Sequence, residues 1–469
     1  MSNTPLGRIP LPGEGEPNTT NRRRQWDATQ HSEKARKLLN EDARYFLHQS
    51  VSSPCLASIV KAEGVWIEDS DGNRYLDFHG NNVHHIGYGH PSVKSAISKQ
   101  MDLLPFAPRR FACQSATALA RKLTKIAPGN LSKVLFTTGG SDAIEVALKI
   151  ARAATGRFKT ISFWDAFHGA GFGASSVGGE QLFRSHVAGP LLSGTEHVAP
   201  FACYRCPYGY PESGGKPQLE LCKLTCASFV RYVLEKEGDV AAVIAEPARA
   251  VPYIPPPGFW AEVRKACNDH GALLIFDEIP TGLGKTGKMF ACEHDEVVPD
   301  ILVMGKALGG GILPIAAVLT TSDLNVGEHY AMGHYTHEKN PVTTAAALAT
   351  IDVIEQERLV ENAAMLGAVA LRRLYSMQQQ YPAIGDVRGR GLLFGMELVL
   401  DRDSKEAAND LAEAVFYRCL SKGLSFKLTM GNTLTFTPPL ILTEQQLDAA
   451  LTIVEESLFE ECRLAGLQV

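Results

Sequence analysis

The chain has 469 residues, with 46 lysines and arginines against 51 aspartates and glutamates, and therefore a formal net charge of −5. Hydrophobic residues make up 45% and charged residues 21%, which is typical of a globular protein with a large core and excludes a disordered polymer. The mildly acidic balance argues against nucleic acid as the main partner, and no apolar run reaches the about eighteen residues that a membrane span needs.

Residues 1–30 are predicted to form a flexible tail. They are rich in proline and glycine and contain no apolar signal core, and Glu14 and Glu16 do not suit a transit peptide. The ten cysteines are too sparse for a disulfide scaffold, so they indicate reduced thiols and a cytoplasmic location.

A helix and a hairpin follow the tail. Residues 32–47 place Ala35, Leu38, Leu39 and Phe46 on one helical stripe. A short hairpin is predicted from 65–67 and 75–78, with its turn at residues 71–72.

From about residue 115, short apolar runs alternate with helical segments. The predicted strands lie at 134–136, 160–163, 241–245, 273–276, 301–304 and 315–319. Buried parallel strands have this appearance, so we predict an α/β protein with a large, doubly wound, mostly parallel sheet in residues 81–335. Helical segments from 343 onward and the run 391–399 predict a smaller α+β domain in residues 336–469, which the segment 31–80 joins.

Ligands of open α/β sheets bind at the carboxyl ends of strands, so the residues after each predicted strand are the functional candidates. Residues 137–142, Thr-Thr-Gly-Gly-Ser-Asp, open a helix after the first of these strands. Glycine lets backbone N–H groups approach an anion, and a helix N-terminus attracts negative charge, so this turn predicts a phosphate seat. Phe167 and His168 follow the next strand, where an aromatic ring can stack on a planar ligand.

Glu246, Asp277 and Lys306 follow three further strands at intervals of 31 and 29 residues, each about one βα repeat. Each has an ordinary explanation alone, as a strand end, a helix cap or a surface lysine. Pyridoxal phosphate (PLP) needs a carboxylate at its pyridine nitrogen, a lysine for its Schiff base, a stacked ring and an anion seat. Together the candidates therefore predict PLP.

Two segments carry a resemblance to the class III aminotransferase family of PLP enzymes, the ornithine and 4-aminobutyrate type. Residues 277–287, Asp-Glu-Ile-Pro-Thr-Gly-Leu-Gly-Lys-Thr-Gly, resemble the family's Asp-Glu-Val-Gln-Thr-Gly-x-Gly-Arg-Thr-Gly. Residues 299–311, Pro-Asp-Ile-Leu-Val-Met-Gly-Lys-Ala-Leu-Gly-Gly-Gly, resemble its Schiff-base segment. The likeness covers nearly the whole chain after about residue 40 and implies the type I fold of PLP enzymes.

The resemblance implies roles for individual residues. Lys306 forms the Schiff base, Asp277 pairs with the ring nitrogen, and these two are the catalytic residues. The implied cofactor-binding residues are Gly140, Ser141, Phe167, His168, Glu246, Asp277, Ile279, Lys306 and Thr336. Thr336 reaches the phosphate of the neighbouring subunit in the family, which implies a homodimer with its active sites at the interface.

Two competing motifs point elsewhere. Residues 282–287 contain Gly-x-Gly and Gly-Lys-Thr, but a phosphate-binding P-loop needs glycine where Ile279 stands. Cys203, Cys206, Cys222 and Cys226 have a spacing that would allow four thiolates on zinc. An insertion packed by buried thiols is the alternative, and we expect no metal.

Departures from the family pattern bear on the reaction. A transaminase must bind a 2-oxo acid, and in the family a buried arginine receives its carboxylate. The matching position is Thr435, and the glutamate that often shields that arginine is replaced by Val251. Both members of the usual carboxylate switch are therefore missing.

Residues 79–87, His-Gly-Asn-Asn-Val-His-His-Ile-Gly, resemble the Asn-Asn-Val-x-His-Val-Gly of phospho-lyases in the same family that act on phosphoethanolamine. This resemblance makes Asn82 and His85 candidates for substrate binding. Arg249, where the family usually has glutamine, is a candidate for an anionic group of the substrate, as is Arg110 with its neighbour Arg109. Salt bridges are the alternative for these arginines.

The sequence thus predicts a PLP-dependent ammonia-lyase in phosphonate catabolism. It would eliminate a β-substituent from a short amine with a phosphonate or phosphate tail, and (R)-1-hydroxy-2-aminoethylphosphonate is the substrate that matches best. The alternatives are an amine:2-oxo-acid aminotransferase, a phosphoethanolamine phospho-lyase, and a non-catalytic PLP-binding or zinc-organised interaction protein. Intact Lys306 and Asp277 argue against the last of these.

Overall fold

The computed structural model describes residues 13–15, 18–184, 188–213 and 216–468. The helices are α1 (Asn21–Thr29), α2 (Glu33–Tyr45), α3 (Pro91–Leu103), α4 (Gln114–Ile126), α5 (Gly140–Thr155), α6 (Phe172–Val177), α7 (Gln181–Arg184), α8 (Leu219–Cys222), α9 (Thr225–Glu237), α10 (Phe259–His270), α11 (Pro341–Gln356), α12 (Leu359–Gln380), α13 (Asn409–Ser421) and α14 (Glu444–Leu464). The strands are β1 (Ile59–Glu63), β2 (Trp66–Asp69), β3 (Arg74–Asp77), β4 (Lys133–Thr137), β5 (Lys159–Phe163), β6 (Thr195–Val198), β7 (Glu212–Ser213), β8 (Lys216–Pro217), β9 (Val240–Ala245), β10 (Leu273–Asp277), β11 (Ile301–Met304), β12 (Ala316–Thr320), β13 (Ile384–Arg390), β14 (Leu393–Asp401), β15 (Glu406–Ala407), β16 (Leu424–Ser425), β17 (Lys427–Thr429) and β18 (Thr433–Phe436).

The central layer is a seven-stranded sheet with the order β4-β12-β11-β10-β9-β5-β6. The pairings from β11 to β6 are parallel, and β12 alone runs antiparallel to both of its neighbours. Alternate side chains enter different clusters: Ile275 and Val303 pack with α5, whereas Phe276 and Leu302 belong to the larger cluster. The predicted α/β fold with a large, mostly parallel sheet is therefore confirmed.

Each predicted strand of this sheet is present, and the structure adds β6 at the edge. Its sequence, Thr-Glu-His-Val, is polar and only half-buried, so it lacks the apolar run that marks the inner strands.

Two smaller sheets flank the central layer. The order β13-β14-β18-β17, with β15 beside β14, forms an antiparallel sheet in the C-terminal third. The order β1-β2-β3-β16 forms the other, and the parallel pairing of β3 with β16 connects the N-terminal segment to the C-terminal third. The helix α11 packs on α3 and α4, so it lies with the helices of the central layer although it follows residue 335.

The prediction of a flexible tail to residue 30 is wrong for the part from Asn21 onward, which forms α1. Thr20 caps this helix by accepting a hydrogen bond from the Arg23 backbone N–H. Trp26 is buried at 7% exposure, and its indole N–H donates to Leu56 O at 3.1 Å. One aromatic side chain inserted into the core therefore orders a segment whose composition indicates disorder.

The predicted helix at 32–47 is confirmed as α2, capped by Ser32. Its apolar stripe is not buried as a unit: Ala35 is 2% exposed, whereas Leu38 is 48% and Phe46 is 71% exposed. Among the described residues, no helix combines the length and the apolar character that crossing a bilayer requires.

Candidate active site

Three candidate residues lie side by side because neighbouring parallel strands end at one edge of the sheet. Glu246 directly follows β9, Asp277 ends β10, and Lys306 is the second residue after β11. β10 pairs in parallel with both β9 and β11. The prediction that the three residues follow neighbouring strands is therefore confirmed, and their chemical roles remain predictions.

The Asp277 carboxylate is buried at 2% exposure and held by two donors. His168 Nδ1 donates to its Oδ2 at 2.8 Å, and the Ile279 backbone N–H donates to its Oδ1 at 3.0 Å. Since a carboxylate only accepts hydrogen bonds, this contact requires a proton on His168 Nδ1. The pair fixes the direction of the carboxylate at the sheet edge, and His168 Nε2 has no partner among the described residues.

Lys306 has an unusual backbone conformation. Its φ is +43°, in the left-handed region that a lysine seldom adopts, and it begins the short 3-10 turn Lys306–Gly309. Such a conformation costs about 1–3 kcal/mol and tends to persist at functional sites. The preceding Gly305 allows close packing, since a Cβ there would lie 3.3 Å from Ala316 Cβ.

The predicted phosphate seat is the N-terminus of the sixteen-residue helix α5, which begins at Gly140. A Cβ on Gly140 would lie 2.9 Å from Ile279 Cδ1, so a side chain there would collide with the neighbouring site residue. Ser141 Oγ accepts a hydrogen bond from the Ala170 backbone N–H at 3.0 Å, which ties the turn to the segment after β5. The free N–H groups and the dipole of α5 suit a phosphate.

Phe167 lines a cavity of about 340 Å³ together with His79, Asn81 and Lys427. Its ring is half-buried and packs on Phe183, with 4.6 Å between ring centroids. The ring is therefore available on the cavity side, where a planar ligand could stack on it.

Arg249 lies buried among two carboxylates, so a surface salt bridge is excluded for it. Its Nη2 donates to Glu180 Oε1 at 2.9 Å, and its Nε lies 3.7 Å from Glu246 Oε1. Burial raises the pKa of both Glu180 and Glu246 to about 7, although the positive charge of Arg249 opposes the shift. Arg249 Nε and Nη1 have no hydrogen-bond partner among the described residues, so the guanidinium keeps donors for an anion.

The variant Arg249→Gln, which introduces the usual family residue, is expected to destabilise the protein by about 3–5 kcal/mol because it leaves two buried carboxylates without their cation. The loss should be smaller at pH 6 than at pH 8, since protonation neutralises Glu180 and Glu246 at the lower pH. Urea unfolding at both pH values measures it. The double variant Arg249→Gln/Glu180→Gln should recover part of the loss, and equal losses at the two pH values would contradict the account.

Sequence reasoning missed a contact between the N-terminal segment and the site. Gly13 O accepts from the Met430 N–H at 2.7 Å, and the Glu14 N–H donates to Glu180 Oε1 at 2.8 Å. Lys427 Nζ donates to Glu14 Oε1 at 2.8 Å. Burial raises the pKa of Glu14, but Lys427, Lys306 and Arg249 together lower it to about 2. No local pattern marks Glu14, whereas the alternation of apolar and polar residues at 424–428 is a signal for a strand that includes Lys427.

Asn82 and His85 are buried at 7% and 1% exposure. His85 Nε2 donates to Gly282 O at 3.2 Å, and burial lowers the pKa of His85 well below its ordinary value, so its ring is neutral. His85 Nδ1 and Asn82 Oδ1 are buried without hydrogen-bond partners among the described residues. Each is thus an unpaired acceptor.

Lys285 replaces the arginine of the family motif and is completely buried. Its Nζ donates to Pro438 O at 2.6 Å and to Thr437 O at 3.2 Å. Burial lowers the pKa of Lys285 to about 7, although Asp77 opposes the shift.

This pKa predicts how stability depends on pH. Between pH 7 and pH 10.5, the unfolded lysine holds a proton that the folded one has lost, so the free energy of unfolding should rise with pH in that window. Lys285→Met lacks this contribution. From pH 7 to pH 9 the free energy of unfolding of the wild type should therefore increase relative to that of the variant. Urea unfolding at several pH values tests this, with the exposed Lys288→Met as control, and parallel curves would contradict it.

The remaining candidates divide into buried and exposed positions. Thr435 is 1% exposed, with its hydroxyl 2.7 Å from Thr429 Oγ1, and Val251 is fully buried. Arg110 and Thr336 are exposed, so the single chain does not bring them into the buried group around Asp277.

The four clustered cysteines line one small cavity with several tyrosines and prolines. Burial and the neighbouring thiols raise the pKa of Cys203 to about 12, so this thiol is protonated at neutral pH. In the part of the chain that the structure describes, no group of three or more His, Cys, Asp or Glu side chains is arranged to hold a metal ion.

The residues at the sheet edge fit PLP. A buried carboxylate oriented by His168, a lysine on a strained turn and a helix N-terminus opened by glycine are the groups that the cofactor requires. Phe167, the residue before His168, adds a half-buried ring that lines a cavity.

Comparisons with known proteins agree with this assignment. The profile of the family described as "Aminotransferase class-III" matches residues 48–458. An (R)-1-hydroxy-2-aminoethylphosphonate ammonia-lyase from Vibrio splendidus (strain 12B01) is 44% identical over 458 residues, which cover 96% of this chain and 95% of the relative. A leucine/methionine racemase from Thermococcus litoralis is 37% identical over 408 residues, covering 85% of this chain and 90% of the racemase.

Solved structures show the same fold. An amine transaminase from an uncultivated Pseudomonas species, in its PLP-bound form, superposes with a TM-score of 0.83 at 31% identity and covers 89% of this chain and 98% of the transaminase. The matched family uses PLP, and the site described above contains the residues that the cofactor needs. The chain is therefore a PLP-dependent enzyme and belongs to the class III aminotransferase family.

Proposed function

We propose that this enzyme is a lyase that eliminates a β-substituent from a short primary amine with a phosphonate or phosphate tail, releasing ammonia and an aldehyde. The substrate that fits best is (R)-1-hydroxy-2-aminoethylphosphonate, and the product is then phosphonoacetaldehyde. The Vibrio relative with this activity supports the proposal through its 44% identity over nearly the whole chain.

The observation that carries the proposal is the uncharged side chain at position 435, a threonine. A transaminase needs a cation for the carboxylate of its 2-oxo acid, and the family places an arginine at this position. Here the side chain is a buried threonine, bonded to the hydroxyl of Thr429. The glutamate that often shields this arginine in the family is replaced by the uncharged Val251. Neither the arginine nor the glutamate is therefore present.

Lys306 and Asp277 at the sheet edge have different roles in the proposed reaction. Bound PLP supplies a ring that accepts electrons from the substrate carbon next to nitrogen. Lys306 Nζ takes the proton from that carbon and delivers a proton to the hydroxide that leaves the neighbouring carbon. The Asp277 carboxylate, fixed by His168, would keep the ring nitrogen of the cofactor protonated. The elimination releases one water, and the later hydrolysis of the enamine consumes one. One amino alcohol therefore gives one aldehyde and one ammonia.

Unpaired polar atoms near the site are assigned to the substrate. Asn82 Oδ1 and His85 Nδ1 accept hydrogen bonds from its donor groups, and Arg249 offers two buried N–H groups to its anionic end. A buried polar group without a hydrogen-bond partner costs about 1–3 kcal/mol, so a substrate that supplies these partners would bind more tightly.

We also propose a homodimer with its active sites at the interface. Arg110 and Thr336 are exposed in the single chain, so they are accessible to the active site of a partner subunit. The ten free cysteines fit a reducing compartment, which is why we place the enzyme in the cytoplasm, in phosphonate catabolism.

The test is product release from 1-hydroxy-2-aminoethylphosphonate and from phosphoethanolamine without any 2-oxo acid, while the cofactor spectrum is followed. Ammonia without phosphate from the first substrate, with the spectrum restored at the end, is the expected result. Faster turnover of phosphoethanolamine with release of inorganic phosphate would identify the phospho-lyase instead. Turnover of amines only after pyruvate or 2-oxoglutarate is added would overturn the lyase and identify an aminotransferase.

A further inference from the structure

Lys427 lies on the strand next to the position where the family has arginine. β17 and β18 pair antiparallel, with Lys427 directly opposite Thr435. Residues directly opposite in an antiparallel pair project from the same face of the sheet. The ammonium of Lys427 therefore provides a positive charge near the location from which the arginine is missing.

The Lys427 ammonium already binds a carboxylate of the chain itself. Its Nζ lies 2.8 Å from Glu14 Oε1, and both side chains are largely buried, at 23% and 18% exposure. The same stretch is fixed at two backbone positions, Gly13 O to Met430 N–H and Glu14 N–H to Glu180 Oε1. This carboxylate also lies within the electrostatic reach of Lys306 and Arg249.

The contact between Glu14 and Lys427 lies in the cavity that Phe167 lines. Glu14 and Lys427 line the cavity of about 340 Å³ that Phe167 also lines. A ring that stacks on the cofactor and an ammonium that binds an anion thus share one space. The Glu14 carboxylate carries the same sign of charge as the anionic end of such a substrate.

We propose that Lys427 receives the phosphonate or phosphate group of the substrate, and that Glu14 occupies this ammonium until the substrate displaces it. The inference rests on the proposed function, since it adds Lys427 to Arg249 as a second cation for the anionic tail of that substrate. A dianionic tail attracts an ammonium more strongly than a single carboxylate does, so substrate wins the competition. Amines without an anionic tail leave Glu14 in place, so the contact selects for anionic substrates.

The proposal can be tested by binding as well as by kinetics. Phosphonoacetate and inorganic phosphate, which lack an amino group, serve as probes in calorimetry on the PLP-loaded enzyme. Glu14→Gln should tighten binding of phosphonoacetate by about tenfold, because a charged competitor for Lys427 is removed. Lys427→Met should weaken it by at least about tenfold, and Lys427→Arg should restore most of the affinity.

The double variant Glu14→Gln/Lys427→Met distinguishes competition from an independent effect. If Glu14 acts through Lys427, removal of Glu14 should no longer tighten binding once Lys427 is gone. The control is Lys422→Met, whose ammonium pairs with Glu456 and Glu460 instead, and it should leave probe binding unchanged. Melting temperatures and the cofactor spectrum identify any variant that is misfolded.

Kinetics separate this inference from the lyase proposal. The KM for 1-hydroxy-2-aminoethylphosphonate should fall in Glu14→Gln and rise in Lys427→Met. Unchanged or weaker probe binding in Glu14→Gln, or unchanged probe binding in Lys427→Met, would overturn the role of Lys427 even if ammonia is released. The reverse outcome, no ammonia from any phosphonate amine but the expected binding cycle, would overturn the lyase and leave the anion seat supported.

Discussion

Lys306→Ala should abolish the visible absorbance band of the bound cofactor and reduce turnover by at least about a thousandfold, because the proposed function makes this one amine both the Schiff-base partner and the general base. The structure places this lysine two residues beyond the end of β11, and Asp277 ends the neighbouring strand β10. Its backbone has a positive φ that an unconstrained lysine seldom adopts. Both functions are therefore lost in one substitution.

The matched control is Lys288→Ala, an exposed lysine whose ammonium contacts only the nearby Glu293 carbonyl among the contacts described. It should keep both the band and the activity. A melting curve on each variant separates loss of the covalent link from loss of the fold. A Lys306→Ala protein that keeps the band and turns over at the wild-type rate would show that another amine holds the cofactor.

Asp277→Asn should slow turnover by about a hundredfold to ten-thousandfold, which is the size of general-acid and electrostatic contributions to catalysis. The Schiff base with Lys306 should stay intact. The amide has nearly the shape of the carboxylate, so the buried site should stay folded. The substitution changes the acceptor for His168 Nδ1 and removes the negative charge that we propose for the ring nitrogen. The prediction is thus a slow enzyme with a nearly normal cofactor band.

Two further variants make this prediction specific. Asp269→Asn, at an exposed position that pairs with Arg231 and Lys265, should leave turnover unchanged. Asp277→Glu keeps the charge and should recover part of the rate. An Asp277→Asn enzyme with wild-type turnover would contradict the assignment of this carboxylate to the ring nitrogen.

The inner strands and the residues that follow them could be predicted from the sequence. Runs such as 241–245 and 301–304 are apolar on every position because both faces of the sheet are covered, and that pattern is local. Glu246, Asp277 and Lys306 then came together because parallel strands share one edge. Candidate residues that follow a strand could therefore be predicted from the sequence alone.

The contacts of Glu14, Glu180 and Lys427 could not be predicted in the same way. They join residues far apart in the chain, 166 positions for Glu14 and Glu180 and 413 for Glu14 and Lys427. No periodicity encodes such pairs, since they depend on how the N-terminal segment crosses the C-terminal sheet. The same reason explains the error over α1, where one buried tryptophan orders a segment of tail-like composition.

The most direct measurement of the central claim is the fate of the substrate nitrogen. Enzyme loaded with PLP is given ¹⁵N-labelled 1-hydroxy-2-aminoethylphosphonate together with an excess of 2-oxoglutarate and pyruvate, and the products are followed by NMR. A lyase releases all of the label as ammonia, in equal amount to the phosphonoacetaldehyde formed. Label in glutamate or alanine would show that the amino group is transferred, and the enzyme would then be an aminotransferase despite Thr435.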